Sequence, residues 1–417
     1  MATLSSGHHC RAMSQSEAGA RKIAWARAHM PVLAEAGREL KETKVLAGLR
    51  VAISVHLEAK TACLALTLRD AGAQVAVTGS NPLSTQDEVA AALVAEGLTV
   101  HARRGASEEE YQEHLERTLE IRPQLVLDDG GDLTALLHGG CQGLGNELIG
   151  ICEETTTGVL RLRKLAASGE LRWPALAVND ARMKHLFDNR YGTGQSVWDA
   201  IMRSTNLLVA GRQVVVVGYG WCGRGIALRA RGLGAQVTVC EVDPVRAAEA
   251  QMDGFSVAPL QQAIRQADFL VTATGCRDVV QWEHLLAAKE GLVLANAGHF
   301  DVEIDVRALR ENAQGRRVRK SVEEFRLPNG KRVYLLAEGR LVNLVAGDGH
   351  PIEIMDLSFA LQALCLAWLA REGRELAPAV YPVPRELDEQ VARLFLCSCG
   401  IEIDTLTRAQ REYLGLQ

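Results

Sequence analysis

The sequence predicts an α/β chain of two doubly wound parallel-sheet domains. Three observations carry this. Short β-branched runs alternate with helix-length segments in two separate blocks, the pattern of strands joined by crossover helices. The chain has 417 residues, more than one ordinary core accommodates. Midway, four valines (214–217) run into a glycine-rich turn that opens the second block.

Composition narrows the class. Hydrophobic residues make up 47% and charged ones 23%, with a net charge of -5. This is globular, and it excludes wholesale attraction to nucleic acid or an anionic membrane surface. Ten cysteines are scattered, and Cys397-Ser398-Cys399 is their only close pair. They read as reduced thiols, and no metal centre is expected. No apolar run reaches the ~18 residues that span a bilayer. The longest, Phe359 to Ala370, is interrupted by Gln362 and reads as a buried helix. The N-terminus lacks a secretory pattern, so a cytoplasmic location is expected.

Residues 1–20 are polar and Ser-rich, expected to be a disordered tail, with His8-His9-Cys10 in it. From Lys22 to Glu42 the apolar spacing predicts two amphipathic helices, Pro31 opening the second. Strands are expected at 50–55, 74–78, 98–101 and 124–128, with helices at 60–71, 85–95 and 108–120 between them. His56, Asn81 and Asp129 each follow a strand. Ligands gather at that end of a parallel sheet, so the three are expected to converge. A long helix, Ser196 to Ala210, leads to the second block, with strands at 214–217, 236–240, 268–273 and 292–295. An apolar helix after Gly347, a Pro-rich stretch and a polar helical segment complete the chain.

The turn reads Gly218-x-Gly220-x-x-Gly223. The first glycine permits the tight turn, the second lets the backbone approach a pyrophosphate, and the third lets the helix pack on the sheet. The helix N-terminus then offers free N–H groups to phosphates. Glu241 ends the next strand, eighteen residues after Gly223. An acid there accepts ribose hydroxyls and repels a 2′-phosphate, which favours NAD over NADP. Arg246 nearby weakens that preference. The second domain is therefore expected to be an NAD-binding Rossmann fold.

The first block carries a polar constellation. Leu127-Asp128-Asp129-Gly130-Gly131-Asp132 places three carboxylates at a strand end, and Glu153-Glu154-Thr155-Thr156-Thr157 sets two more beside three hydroxyls. Lys184 and Asp188 are four apart and share a helix face, a spacing that alone suggests only a surface ion pair. Clustered beside Gly-rich turns, these groups suit a site that binds hydroxyls.

At this point the sequence resembles the S-adenosyl-L-homocysteine hydrolase family, from about Arg21 to Gly415. The segments are "NPLSTQDEVAAAL" (81–93), "LDDGGDLTALLH" (127–138), "EETTTGV" (153–159), "VNDARMKHLFDNRYGTGQS" (178–196), "GYGWCGRGIALRARGLGAQVTVCEVDP" (218–244), "NAGHFDVEID" (296–305) and "LLAEGRLVNLVAGDGHP" (335–351). The resemblance implies a substrate-binding domain over 21–192, completed by 350–380, and an NAD-binding domain over 193–349. A segment over 381–417 follows. It also implies a reaction without net redox change. NAD oxidises the ribose 3′-hydroxyl, the ketone acidifies C4′, homocysteine leaves from C5′, water adds, and the ketone is reduced again.

Matched positions carry implied roles. Glu154, Lys184 and Asp188 hold the ribose hydroxyls, Lys184 helping remove the 3′-hydroxyl proton. Asp129 serves the C4′ proton step, and His56 and His299 serve chemistry at C5′. Glu58, Thr61 and His350 contact the nucleoside. Thr155, Thr156, Thr157, Asn189, Thr274, Gly275 and Asn343 contact the cofactor. A homotetramer with no nucleic-acid or membrane partner is implied, as is domain closure with hinges near Thr193 and Gly347.

The chain departs from the family in three places. Common members place Thr and then an acid after the histidine matching His56, where this chain has Glu58 and Lys60. Adenine is the default base. Hypoxanthine, which reverses adenine's donor–acceptor pattern, is the alternative, giving an S-inosyl-L-homocysteine hydrolase. Thr193 stands where a cysteine near the nicotinamide is common, so that thiol is expected to be lost. A longer family tail that reaches a neighbour's NAD is missing after Tyr413-Leu414-Gly415-Leu416-Gln417, so looser cofactor retention is expected. A catalytically silent NAD-binding regulatory relative is a further reading, against which the complete polar set argues. A net dehydrogenase would suit the glycine turn alone.

Overall fold

A computed structural model describes residues 13–416. The expected tail lies outside the described residues over 1–12, His8-His9-Cys10 included. Residues 16–20 are not tail: they open a helix, Ser16–Ala28, that buries Ile23 and Ala26. Gly19 packs there so closely that an added Cβ would lie 1.9 Å from the Glu88 carbonyl oxygen. Lys22 pairs with Glu88 at 2.6 Å. The tail reading failed because residues 16–20 bury only the small Gly19, while the apolar anchors Ile23 and Ala26 come later in the same helix.

Fifteen strands are described: β1 (Arg50–Ser54), β2 (Gln74–Thr78), β3 (Thr99–His101), β4 (Leu125–Asp128), β5 (Gly150–Glu153), β6 (Ala175–Ala177), β7 (Gln213–Val217), β8 (Gln236–Cys240), β9 (Ser256–Val257), β10 (Phe269–Thr272), β11 (Leu292–Asn296), β12 (Gln314–Arg319), β13 (Val322–Arg326), β14 (Arg332–Leu336) and β15 (Val380–Tyr381). The first sheet runs β15-β6-β5-β4-β1-β2-β3 and the second β12-β13-β14-β11-β10-β7-β8-β9. Every pairing in the first sheet is parallel. The second is parallel except for β12–β13 and β13–β14.

Both sheets reverse strand order beside their first strand. In the first, β1 is flanked by β4 and β2, and in the second, β7 by β10 and β8. Parallel sheets open a crevice there, at the carboxyl ends of the strands. His56 and Asp129 follow β1 and β4, while the glycine turn and Thr274 follow β7 and β10, so each sheet presents its polar residues at its own switch point.

The central strands are apolar and fully buried, as both-face coverage requires. The helix Ile352–Glu372 packs in the first core with Phe359, Leu361, Leu364, Cys365, Leu366 and Leu369 buried. It is the one described helix long and apolar enough to cross a membrane, and most of it is buried inside the protein. Asp356 on its first turns takes the Val32 and Leu33 N–H groups at 3.0 and 2.7 Å, which caps the helix that Pro31 opens.

Two further expectations need correction. The helix leading to the second block is Thr193–Thr205, not 196–210, because Asn206 turns left-handed at φ 56° and ends it. Asn81 does not join the cleft; it builds a turn, accepting the Leu83 N–H at 2.9 Å and the Ser84 hydroxyl at 2.9 Å.

Candidate active site

One cleft of about 1360 Å³ lies where the two switch points face each other. Its walls include His56, Glu58, Thr61, Asp129, Glu154, Thr155, Thr156, Thr157, Lys184, Asp188, Asn189, Gly218, Gly220, Glu241, Arg246, Thr274, Gly275, His299, Asn343 and His350. Of the expected positions, Gly223, like Asn81, is not in the wall. Gly223 lies beneath the turn, where an added Cβ would sit 1.9 Å from the Gly218 carbonyl oxygen.

The centre is a buried cation between two carboxylates. Lys184 Nζ lies 3.2 Å from Glu154 Oε1 and 3.1 Å from Asp188 Oδ2. It also donates to Asn189 Oδ1 at 2.9 Å. Asn189 in turn donates to Asn179 Oδ1 at 3.0 Å. Lys184 stands at the entry to a π-helix, His185–Gly192. That wider turn is often found at functional sites. Asp388, on the helix Arg385–Ser398, accepts the Arg182 and Met183 N–H groups at 3.0 and 2.7 Å and so anchors the segment.

Neighbours on the helix Ile352–Glu372 complete the cluster. Gln362 donates to Glu154 Oε2, and Ser358 donates to Asp188 Oδ2 at 2.7 Å. His350 Nδ1 hydrogen-bonds Asp188 Oδ1. Burial pushes the Glu154 carboxyl up to about 7, against the pull of Lys184. Burial opposes charge on Lys184 and Asp188 as well, but their mutual attraction prevails, holding Lys184 above and Asp188 far below its usual range. Glu154 Oε1 is buried and has no partner besides the Lys184 ammonium. Both it and the Lys184 ammonium face the cleft, a donor and an acceptor set for adjacent hydroxyls.

A second cluster joins the two sheets. His56 Nε2 lies 3.5 Å from Asp129 Oδ2, and His299 Nδ1 lies 3.9 Å from Asp129 Oδ1. Ser84 Oγ meets His56 Nδ1 at 2.7 Å, and Ser80 donates to Asp129 Oδ2 at 2.8 Å. Thr61 donates to the His56 carbonyl at 2.6 Å and fixes its turn. His299 comes from the loop after β11 and lies over Gly130, where an added Cβ would be 2.7 Å from His299 Nε2. Burial drives His56 down to about 4, so its imidazole is neutral at pH 7. Asp129 is held below its usual range despite burial, chiefly by the two imidazoles. The pair is thus a carboxylate beside a neutral ring, with Asp129 Oδ1 buried and unpartnered. The three side chains offer ligand atoms within 4.8 Å of one another, although no metal centre was expected here.

The residues at the second switch point fit a dinucleotide. Gly218 takes φ +96°, and a Cβ there would meet the Ala273 carbonyl oxygen at 2.8 Å; a Cβ on Gly220 would meet only Arg246 Nη1, at 3.7 Å. So Gly220 faces open space, the approach a pyrophosphate needs. The Glu241 carboxylate accepts the N–H groups of Tyr219, Val242 and Asp243 at 2.7, 2.7 and 3.1 Å and lines the cleft. Asn343 donates to Ser196 Oγ at 3.1 Å, while its Oδ1 is buried without a partner, an acceptor free for a carboxamide.

Several groups were given no individual role by the sequence reading, although some lie in its motifs. Glu303 accepts the N–H and hydroxyl of Thr274 at 2.9 and 2.6 Å and the Gly275 N–H at 2.8 Å. Glu153 does the same for Thr155, at 2.9 Å for each group, and for the Gly130 N–H at 2.9 Å. Asn179 donates to Thr156 Oγ1 at 3.1 Å. The lone signal for Gln362 was a polar residue interrupting an apolar helix. Thr193 has a thiol from another element beside it. Cys222 Sγ lies 3.6 Å from Thr193 Oγ1, which also meets His350 Nε2 at 3.2 Å.

At the end of the cleft toward Gly349, Glu58 caps the helix Ala59–Asp70 by accepting the Lys60 N–H at 3.0 Å. Lys60 Nζ lies 3.1 Å from Glu58 Oε2 and donates to the Asp348 carbonyl at 2.9 Å.

Comparison with known proteins agrees with this geometry. Residues 7–149 match the family described as S-adenosyl-L-homocysteine hydrolase, and 189–349 match its NAD binding domain. An adenosylhomocysteinase of Thermotoga maritima is 58% identical over 95% of this chain and 98% of its own. An S-inosyl-L-homocysteine hydrolase of Methanopyrus kandleri is 56% identical over 95% of this chain and 94% of its own. An adenosylhomocysteinase of Pyrococcus abyssi is 54% identical over 99% of this chain and 98% of its own. Identity at this level over nearly the whole chain, with a cofactor site that fits, shows that the chain belongs to the S-adenosyl-L-homocysteine hydrolase family and uses NAD.

Proposed function

We propose that this chain catalyses the reversible hydrolysis of S-adenosyl-L-homocysteine to adenosine and L-homocysteine. The observation that carries the reading is the pairing of two clusters in one cleft: Glu154–Lys184–Asp188 for a ribose diol, and His56–Asp129–His299 for proton transfers next to it. Bound NAD supplies reversible hydride acceptance at the ribose. Gly218, Gly220, Glu241, Thr155, Thr156, Thr157, Asn189, Thr274, Gly275 and Asn343 hold it, with Gly223 beneath the turn and Arg246 beside it.

The protein's own groups do the rest. Glu154 Oε1 and Asp188 grip the hydroxyls, and Lys184 Nζ steadies the oxygen that loses its proton. A carboxyl near 7, such as Glu154, exchanges protons readily at neutral pH. Asp129 Oδ1, unpartnered and ionised, takes the C4′ proton. The proton so taken is relayed from Asp129 through His56 and His299 to the departing sulfur, and when water adds its hydroxyl at C5′ its proton returns by the same groups to C4′. Closure of the two domains over the cleft excludes bulk water from these steps.

The functional units are a substrate-binding domain over 21–192, completed by 350–380, and a cofactor domain over 193–349, with hinges near Thr193 and Gly347. We place the enzyme in the cytoplasm as a homotetramer. The segment after Ser398 supports assembly, because Ile401, Ile403, Leu406, Tyr413 and Leu414 are exposed on it. The test is bidirectional. Purified protein should release homocysteine from S-adenosyl-L-homocysteine and make the thioether from adenosine plus homocysteine. Thiol release without the reverse synthesis would exclude this mechanism.

A further inference from the structure

On the hydrolase reading proposed above, we propose that Glu303 is a positioning residue that ties the cofactor loop at Thr274 and Gly275 to the loop carrying His299. Holding the cofactor and placing the imidazole then depend on one buried carboxylate. Glu303 is buried, and the groups facing its carboxylate are donors. Oε2 accepts the Thr274 N–H at 2.9 Å and its hydroxyl at 2.6 Å, and Oε1 accepts the Gly275 N–H at 2.8 Å. With these protons turned to Glu303, the loop keeps acceptors for the hydroxyls of a dinucleotide. The loop also backs the glycine turn, since a Cβ on Gly218 would lie 3.1 Å from Thr274 Cγ2. The main chain of Glu303 is fixed as well, its carbonyl accepting the Val279 and Val280 N–H groups at 2.9 Å each.

The same carboxylate is the floor of the His299 loop. A Cβ added to Gly298, the residue before His299, would lie 1.8 Å from Glu303 Oε1, so the loop rests on the carboxylate at a residue without a side chain. Asn296 makes a second tie. Its Oδ1 accepts the Gly298 N–H at 2.8 Å and the Thr272 hydroxyl at 3.0 Å, and its Nδ2 donates to the Phe300 carbonyl at 2.9 Å. The loops after β10 and β11 therefore share their supports. His299 has little room to move, with Asp129 Oδ1 at 3.9 Å from Nδ1 and Gly130 packed beneath Nε2. A shift of about 1 Å at such a site can cost about a hundredfold in rate. An ionised carboxylate only accepts, whereas a glutamine would turn its NH2 onto one of these buried donors and push the loops apart.

The experiment compares the wild type, Glu303→Gln and Gly298→Ala. It reads the NAD dissociation constant and, at saturating NAD, first-turnover NADH formation and homocysteine release from S-adenosyl-L-homocysteine. Glu303→Gln should weaken NAD by about tenfold or more and slow thiol release by about tenfold or more. First-turnover NADH formation should stay within about threefold of wild type, because the ribose site at Lys184 is untouched. Gly298→Ala, placed in the His299 loop, should produce the same pair of effects, because its methyl displaces the Glu303 carboxylate. Glu303→Asp, which keeps the acceptors and shortens their reach, is the substitute should Glu303→Gln not fold, and it too should show both effects. One effect without the other, neither effect, or an equal fall in NADH formation and thiol release overturns the proposal, as does Gly298→Ala with wild-type NAD affinity. No thiol from the wild type instead refutes the hydrolase reading on which the proposal rests.

Discussion

Replacing Lys184 with methionine keeps the volume and removes the charge. At contacts of 3.1 and 3.2 Å, each carboxylate–ammonium attraction is about 5 kcal/mol gross at an effective dielectric near 20. Most of this offsets the cost of burying three charges, so the net value of the cluster is far smaller. Removing one partner is different, because Glu154 and Asp188 are then left facing each other in the interior. The expected loss is about 3–5 kcal/mol. Its pH dependence follows from the sign. In the wild type Asp188 is held far below its unfolded value, so its stabilisation is full above the ordinary carboxylate range and is lost progressively only as pH falls into and below it. In Lys184→Met both carboxyls rise above their unfolded values, so the variant binds protons on folding and regains stability as pH falls below about 7. Urea midpoints at pH 8 and pH 6 measure this, the gap to wild type narrowing at pH 6. Homocysteine release should fall at least a thousandfold while NAD stays bound. Near-normal turnover, or an equal stability gap at both pH values, would refute the reasoning.

The two turn glycines should behave differently. Gly220→Ala places its methyl in ordinary contact with Arg246 and should fold normally but lose NAD, whereas Gly223→Ala meets the Gly218 carbonyl and should lower the melting temperature as well; NAD content and thermal unfolding separate them. His56 is depressed to about 4, so its neutral form stabilises the fold above pH 6.5, and that contribution is lost as pH falls toward 4. His56→Asn should flatten the acid limb of stability, seen as a smaller drop in urea midpoint between pH 7 and pH 4. Gln362→Leu removes a donor from buried Glu154 and should cost about 1–3 kcal/mol, with kcat lowered more than NAD binding; unchanged kcat would separate Gln362 from the diol site.

Legibility in the sequence followed physical cause. Strands buried on both faces announced themselves as β-branched runs, and β1, β2, β4, β7, β8, β10 and β11 were all readable. β12 was not, because its exposed QGRRVR reads as a polar loop and is a strand only through β13. β5 and β6 are short, and their place comes from pairing, β5 with β4 and β6 with β5. Site residues in motifs were found, but those acting through others were missed. Asp388 holds Met183 from 205 positions away, a distance no local pattern bridges. Cys222 and Thr193 come together only when the helix after the glycine turn meets the start of the helix Thr193–Thr205.

The central claim is that the cofactor is used and restored within each turnover. Homocysteine release and absorbance at 340 nm, followed together over many turnovers of S-adenosyl-L-homocysteine, test it most directly. Thiol should accumulate in step with adenosine, while NADH never exceeds one per protomer. NADH rising with each turnover would make the protein a net dehydrogenase and contradict the account.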